Sequence, residues 1–240
     1  ASAISARLEM PKRFYETVTL AAQADGFIVK LDAQELKTPA KNPLVLPSQA
    51  LAQLVADDWQ AQADEIDSLS MLHMRLVATA LDRVAGVMEE TRAAFAAYGM
   101  SDLLCYRAEN PDPLIAKQAS AWDPVLAWAK RQFGLVLHTT DSVLPISQPA
   151  ETEEKLRHLG GEDAFRLTGL AHLAALLGSA VLALALEQGE ISPEQAYELA
   201  FLDDLFQIET WGSDEEAQVR LDNIALEIKA VARYLSALQQ

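Results

Sequence analysis

The sequence predicts an α+β protein, with a small antiparallel β-containing part over residues 1–50 followed by a larger, mainly α-helical part over 51–240. Three observations carry this. Apolar and polar residues alternate in the first fifty positions around a turn-forming Asp25-Gly26 pair. At Pro47-Ser48 the spacing of apolar residues changes from two to three or four. That helical spacing dominates almost to the C-terminus.

Residues 14–20 set Tyr15, Thr17 and Thr19 on one side and Phe14, Glu16, Val18 and Leu20 on the other, the period-2 signature of a strand. Residues 26–31 (GFIVKL) form its predicted partner, and Gly26 suits the connecting turn because it lacks the Cβ that opposes positive φ. Two shorter extended pieces, 35–38 and 44–46, are bracketed by Pro39, Pro43 and Pro47, which cannot donate to a ladder. Together these make a small meander. Ser48 is a predicted N-cap for a helix carrying Leu51, Leu54, Val55, Asp58 and Trp59. One long helix is expected over 71–98, weakened by Gly86 and closed by Gly99. Pro111 and Pro113 interrupt the pattern, and Asp123-Pro124 falls in or beside a helix that carries Trp122, Leu126 and Trp128 and stops at Gly134. Residues 135–137 and 143–146 read as extended, so 135–147 is a candidate to pair back onto the N-terminal sheet.

Beyond Pro149, helices are expected over 151–159, 163–188, 193–211 and 214–238, with Gly189 ending the second and Ser192-Pro193 opening the third. Residues 167–186 carry no charge, a length sufficient to span a bilayer. The segment nevertheless contains Thr168, His172 and Ser179 and is alone of its kind. It is therefore expected as a central buried helix without membrane insertion, with Gly178-Ser179 admitting a close helical neighbour.

With 50% hydrophobic and 22% charged residues, the 240-residue chain has ample material for a core. Ten glycines, ten prolines and a single cysteine exclude collagen-like and disulfide-stapled scaffolds. The net charge of −16 removes the electrostatic footprint of a nucleic-acid or anionic-lipid binder. That charge divides unevenly, −5 over residues 1–149 and −11 over 150–240. Residues 1–10 read neither as a secretory signal nor as a strong transit peptide.

Catalytic motifs are sparse. His73, His138, His158 and His172 lack the spacing of convergent metal ligands, and Cys105 is expected as a small core hydrophobe in a reducing compartment. GxxxxGK[ST], GxGxxG and GxSxG are all missing from the sequence, and Gly160-Gly161 is followed by Glu162-Asp163, which would repel phosphate. The most unusual segment is Phe201-Leu-Asp-Asp-Leu-Phe-Gln-Ile-Glu-Thr-Trp-Gly212, since residues 203–216 hold six acids and no base. Three readings apply to it. It is a carboxylate pair for hydrolase-type acid–base work, a solvated acidic face, or an acidic docking surface anchored by Phe206 and Trp211. Adjacent helical residues such as Asp203 and Asp204 point about a hundred degrees apart, which weakens the first.

Several short motifs then combine. Arg13-Phe-Tyr, GFIVKLD over 26–32, LKTPA over 36–40, WQAQ over 59–62, DLLCYRA over 102–108, Trp122-Asp-Pro124 and FQIETWG over 206–212 stand in one order. In this the chain resembles the ATP12-type chaperones, which assemble the F1 sector of ATP synthase by binding its alpha subunit. The resemblance implies the same two-part fold and a non-enzymatic role: holding free alpha subunit and shielding its beta-facing surface until beta replaces it. It implies no cofactor and no ATP hydrolysis. Partner contact is carried onto Asp203, Asp204, Phe206, Gln207, Glu209 and Trp211, and onto Trp59 within the WQAQ match. A transient alpha-subunit complex, a monomer when free, and a bacterial cytoplasm, or a mitochondrial matrix for a eukaryotic source, complete the expectation. The chain departs from the family at Ala33, where a glycine is expected after Leu-Asp, and at the proline-free SLSMLHM over 68–74.

Overall fold

The structure is a computed structural model and describes residues 10–142, 144–212 and 214–239. These residues form a three-stranded antiparallel sheet and ten α-helices, the α+β class the sequence predicts. Strands β1 (Val18–Gln23), β2 (Gly26–Leu31) and β3 (Gln34–Glu35) lie in the order β1-β2-β3, with Leu20 opposite Val29 and Gln23 opposite Gly26. β1 begins four residues later than the alternation suggests. The backbone before it is engaged elsewhere, since Arg13 N–H donates to the Asp64 carbonyl and Ile66 N–H to that of Pro11. Residues 44–46 join the sheet through a Phe27–Leu46 bridge.

The turn after β2 explains the departure at Ala33. Asp32, not residue 33, takes the positive φ of 54°, and its carboxylate accepts the Thr17 N–H at 2.8 Å and the Glu16 N–H at 3.1 Å. An aspartate tolerates this conformation when its side chain bonds locally. The same donors hold its carboxyl below the ordinary range.

α1 (Gln49–Gln60) starts at the predicted N-cap: Ser48 Oγ accepts the Leu51 N–H at 3.0 Å and donates to the Ala237 carbonyl. The single helix expected over 71–98 is instead α2 (Leu72–Asp82), a 3-10 turn at Val84–Gly86, and α3 (Met88–Met100). The end of α2 is pinned from outside, because the Asp82 carboxylate accepts from Thr38 Oγ1 and Asn42 Nδ2. Gly99 caps nothing. It lies inside α3, where an added Cβ would collide with Leu156.

α4 (Asp112–Phe133) contains Pro124 and ends at Gly134 as predicted. Among the described residues, none of 135–147 pairs with the sheet; their bridge joins Thr140 to Tyr106, with Thr140 N–H donating to the Cys105 carbonyl at 2.8 Å. Position 143, part of the expected extended stretch, lies outside the described residues.

After α5 (Ala150–Gly160), the uncharged stretch is largely buried but is not one helix. It forms α6 (Ala164–Leu177) and α7 (Ala180–Glu187). Gly178 adopts φ 64°, a conformation that costs a side-chain-bearing residue about 1 kcal/mol or more, and Ser179 Oγ caps α7 by accepting the Leu182 N–H at 2.9 Å. Asp102, fully buried, wedges into the break, with Oδ2 accepting the Val181 N–H and Oδ1 the Leu104 N–H, both at 3.1 Å. Among the described residues no helix is long and apolar enough to cross a membrane. The segment expected as 193–211 is also two helices, α8 (Pro193–Ala200) and α9 (Leu202–Trp211), with Phe201 between them. At that joint the Trp122 indole N–H donates to the Leu199 carbonyl at 2.9 Å. α10 (Glu215–Leu238) closes the fold. One contiguous core runs from Val29, Leu31 and Leu46 of the sheet region through Leu51 and Val55 to Leu170, Leu182, Ile228 and Leu235.

Candidate partner-docking site

α9 is amphipathic, and its two sides have different partners. Leu202 is buried, Phe206 is partly covered against the core, and Leu205 is partly covered, the three at three-to-four residue steps. The edge facing α4 uses three of the acidic or aromatic candidates. Gln118 Nε2 donates to Asp203 Oδ1 at 2.8 Å, Lys117 Nζ pairs with Glu209 at 3.0 Å, and the same ammonium lies 5.8 Å from the centre of the Phe206 ring. Asp204, Gln207 and Trp211, spaced three and four apart, share the outward stripe and are exposed. Asp204 pairs with Arg220 of α10 at 3.5 Å, and Trp211 is 75% exposed. On α10, Val219 and Leu226 also face solvent.

Asp203 and Asp204 therefore diverge, one toward Gln118 and the other toward Arg220. The two carboxylates do not converge, so the geometry gives no support to acid–base chemistry, which needs convergent groups. Among the described residues no three His, Cys, Asp or Glu side chains converge as metal ligands. Cys105 is buried, and burial, reinforced by the Asp102 carboxylate, pushes its thiol up to about 12, which makes it inert.

Trp59 stands apart from α9. It sits near the end of α1, its ring 5.6 Å from that of Tyr15, and its carbonyl accepts the Tyr15 hydroxyl at 2.6 Å. Beside it, Asp58 accepts from His73 Nδ1 and from the Met74 N–H, while Gln62 bonds Ser70 and Asp67. The WQAQ match thus forms an internal brace. The DLLCYRA and Trp122-Asp-Pro matches do the same together: the Arg107 guanidinium lies 5.2 Å over the Trp122 ring and pairs with Asp123 at 2.8 Å.

Sequence reasoning missed the contribution of α4. Lys117 and Gln118 meet α9 across separations of 92 and 85 residues, and neither stands in a motif. It also missed a groove of about 590 Å³ between α4, α8 and α9, floored by Ala121, Val125, Leu199, Leu202 and Leu205. Its apolar lining comes from three helices, so the local spacing of any one of them gives no sign of it.

Comparison with known proteins agrees with this architecture. The family model described as ATP12 chaperone protein matches residues 12–130. The chain is 23% identical over 236 residues to "Protein atp12, mitochondrial" of Schizosaccharomyces pombe, covering 91% of this chain and 79% of that protein. The crystal structure of Atp12 from Paracoccus denitrificans is 36% identical and superposes with a TM-score of 0.88, covering 95% of this chain and 98% of that one. A solved structure from Agrobacterium tumefaciens is 40% identical with a TM-score of 0.90, over 95% of this chain and 87% of that one. At 36% identity to a solved Atp12 over nearly the full length of both chains, and with the family model matching residues 12–130, the chain belongs to the ATP12 chaperone family.

Proposed function

We propose that this chain is an assembly chaperone for the F1 sector of ATP synthase, holding the unassembled alpha subunit and shielding its beta-facing surface until beta replaces it. The observation that carries the reading is an ATP12-family chain that presents Trp211 on an exposed stripe with Asp204 and Gln207. An unassembled subunit exposes apolar surface that aggregates, so its holder must cover that surface reversibly. A single large aromatic anchor supplies binding energy, and the surrounding acids speed encounter with basic parts of the client without making release slow. In this reading Asp203, Phe206 and Glu209 set the angle of α9 on α4, Asp204, Gln207 and Trp211 touch the client, and Trp59 supports the fold. No cofactor, nucleic acid, membrane insertion or ATP hydrolysis takes part. The free chaperone is a monomer, working in a bacterial cytoplasm or, in a eukaryotic source, the mitochondrial matrix.

The test is light scattering of purified F1 alpha subunit diluted from denaturant, with this chain or with an inert acidic protein. Suppressed aggregation together with a stoichiometric complex on gel filtration is expected. Unchanged scattering and no complex would reject the client. Charge reversal at Asp203, Asp204 or Glu209 is expected to weaken binding more than it lowers Tm. Parallel loss of binding and fold at Asp204 would remove α9 as the contact.

A further inference from the structure

We propose that the groove between α4, α8 and α9 receives an apolar, lysine- or arginine-flanked helix of the client. This rests on the chaperone reading above and adds the chemistry of the segment that is gripped. The floor is apolar, with Ala121, Val125, Leu199, Leu202 and Leu205 lining about 590 Å³. Its walls are three helices and the turn before α8, with no strand among the lining residues. An extended segment would find no ladder partners there, whereas a helix lays an apolar stripe between helices by fitting ridges into grooves.

The charge of the rim selects the flanks. Lys117, the cation among the lining residues, is already paired with Glu209 at 3.0 Å, and on α10 Arg220 is paired with Asp204 at 3.5 Å and Lys229 with Glu194 at 3.1 Å. Glu190 and Glu198, both exposed lining residues, have no cation within 4.0 Å among the described residues. An apolar floor with unpaired carboxylates at its edge complements a basic amphipathic helix and repels an acidic one. A second copy of this chain, itself at −16, is disfavoured by the same sign rule.

The experiment measures fluorescence anisotropy of a labelled amphipathic peptide of about 18 residues, long enough to be helical, with leucines at i, i+3, i+4 and i+7 and lysines beside them. A second peptide replaces each lysine by glutamate. The lysine peptide is expected to bind at least about tenfold more tightly. The double reversal Glu190→Lys with Glu198→Lys should invert that preference, and Ala121→Trp, which fills the groove, should weaken both peptides by about tenfold or more. Equal binding of the two peptides, or a preference that survives the double reversal, overturns the proposal, and the surface location of both glutamates keeps this arm independent of folding. A dimer on gel filtration that Ala121→Trp abolishes would seat a second copy there and also overturn it. The same variants in the alpha-subunit assay separate the two readings. Full suppression by wild type and by both variants rejects the groove and keeps the client; expected peptide behaviour without any hold on alpha subunit keeps the groove and rejects the client.

Discussion

Replacing Asp102 by asparagine is expected to change how stability depends on pH. The carboxyl is fully buried at the start of α7, and burial pushes it up to about 7, against the opposing donors Ser179, Val181 and Leu104. Between its ordinary value of 3.8 and about 7, the folded chain holds a proton that the unfolded chain has released. Stability from this group is therefore fully present below the unfolded value and falls as pH rises toward 7, by about 1.4 kcal/mol per unit. Asparagine does not titrate, so its cost relative to wild type shrinks by about 2 kcal/mol between pH 5.5 and pH 8. A pH-independent cost of about 1–3 kcal/mol comes in addition, because the amide nitrogen faces one of the two backbone donors that the carboxylate satisfied. Urea denaturation followed by circular dichroism, at several pH values kept above the pI near 4.6, measures the difference directly. A cost that stays constant, or grows with pH, would mean that the donors at the start of α7 hold the carboxylate ionised and that burial does not win.

Three other outcomes follow from the packing. Gly169→Ala places a Cβ 2.6 Å from Leu235 Cδ2 and 3.1 Å from Tyr234 Cδ1, so overpacking of about 1–3 kcal/mol should exceed the gain in helix propensity of about 1 kcal/mol, while Gly86→Ala, with nothing within 4 Å, should be neutral or stabilising by denaturant titration. Trp211→Ala should leave the folding free energy within about 0.5 kcal/mol yet remove the largest share of the acrylamide-quenchable tryptophan fluorescence, since Trp122 and Trp128 are buried and Trp59 is only partly exposed; undiminished quenching would contradict the exposure of α9. Tyr15→Phe removes the bond to the Trp59 carbonyl and should cost about 0.5–1.5 kcal/mol with client binding unchanged, whereas a selective loss of binding would return Trp59 to the contact surface.

Much of the candidate site was legible in the chain. The apolar spacing of Leu202, Leu205 and Phe206 against the outward Asp204, Gln207 and Trp211 is a property of one helix, and it appears in the sequence as clearly as in the structure. The acidic excess of residues 203–216 is likewise visible without coordinates. The division of labour within α9 was not. Asp203 and Asp204 are chemically identical neighbours, and only the position of Gln118 on one side and Arg220 on the other makes the first a support and the second a surface group. Trp59 shows the same limit, since nothing in WQAQ distinguishes a tryptophan that meets a partner from one that packs on Tyr15.

By itself the sequence determined the α+β class and the meander, and it located the caps at Ser48, Gly134 and Ser192-Pro193. Each depends on groups within a turn or two of one another, and local sterics and hydrogen bonding act at that range. Only the tertiary structure decided where long apolar periods break. Asp82 is held by residues 38–42, Asp102 reaches the Gly178-Ser179 joint, and Trp122 meets Leu199 beside Phe201. It also decided that α4, α8 and α9 enclose a groove. A period reports which face of a helix is apolar, but the partner that covers that face, and the gap left where three faces meet, are set by contacts between residues distant in the chain.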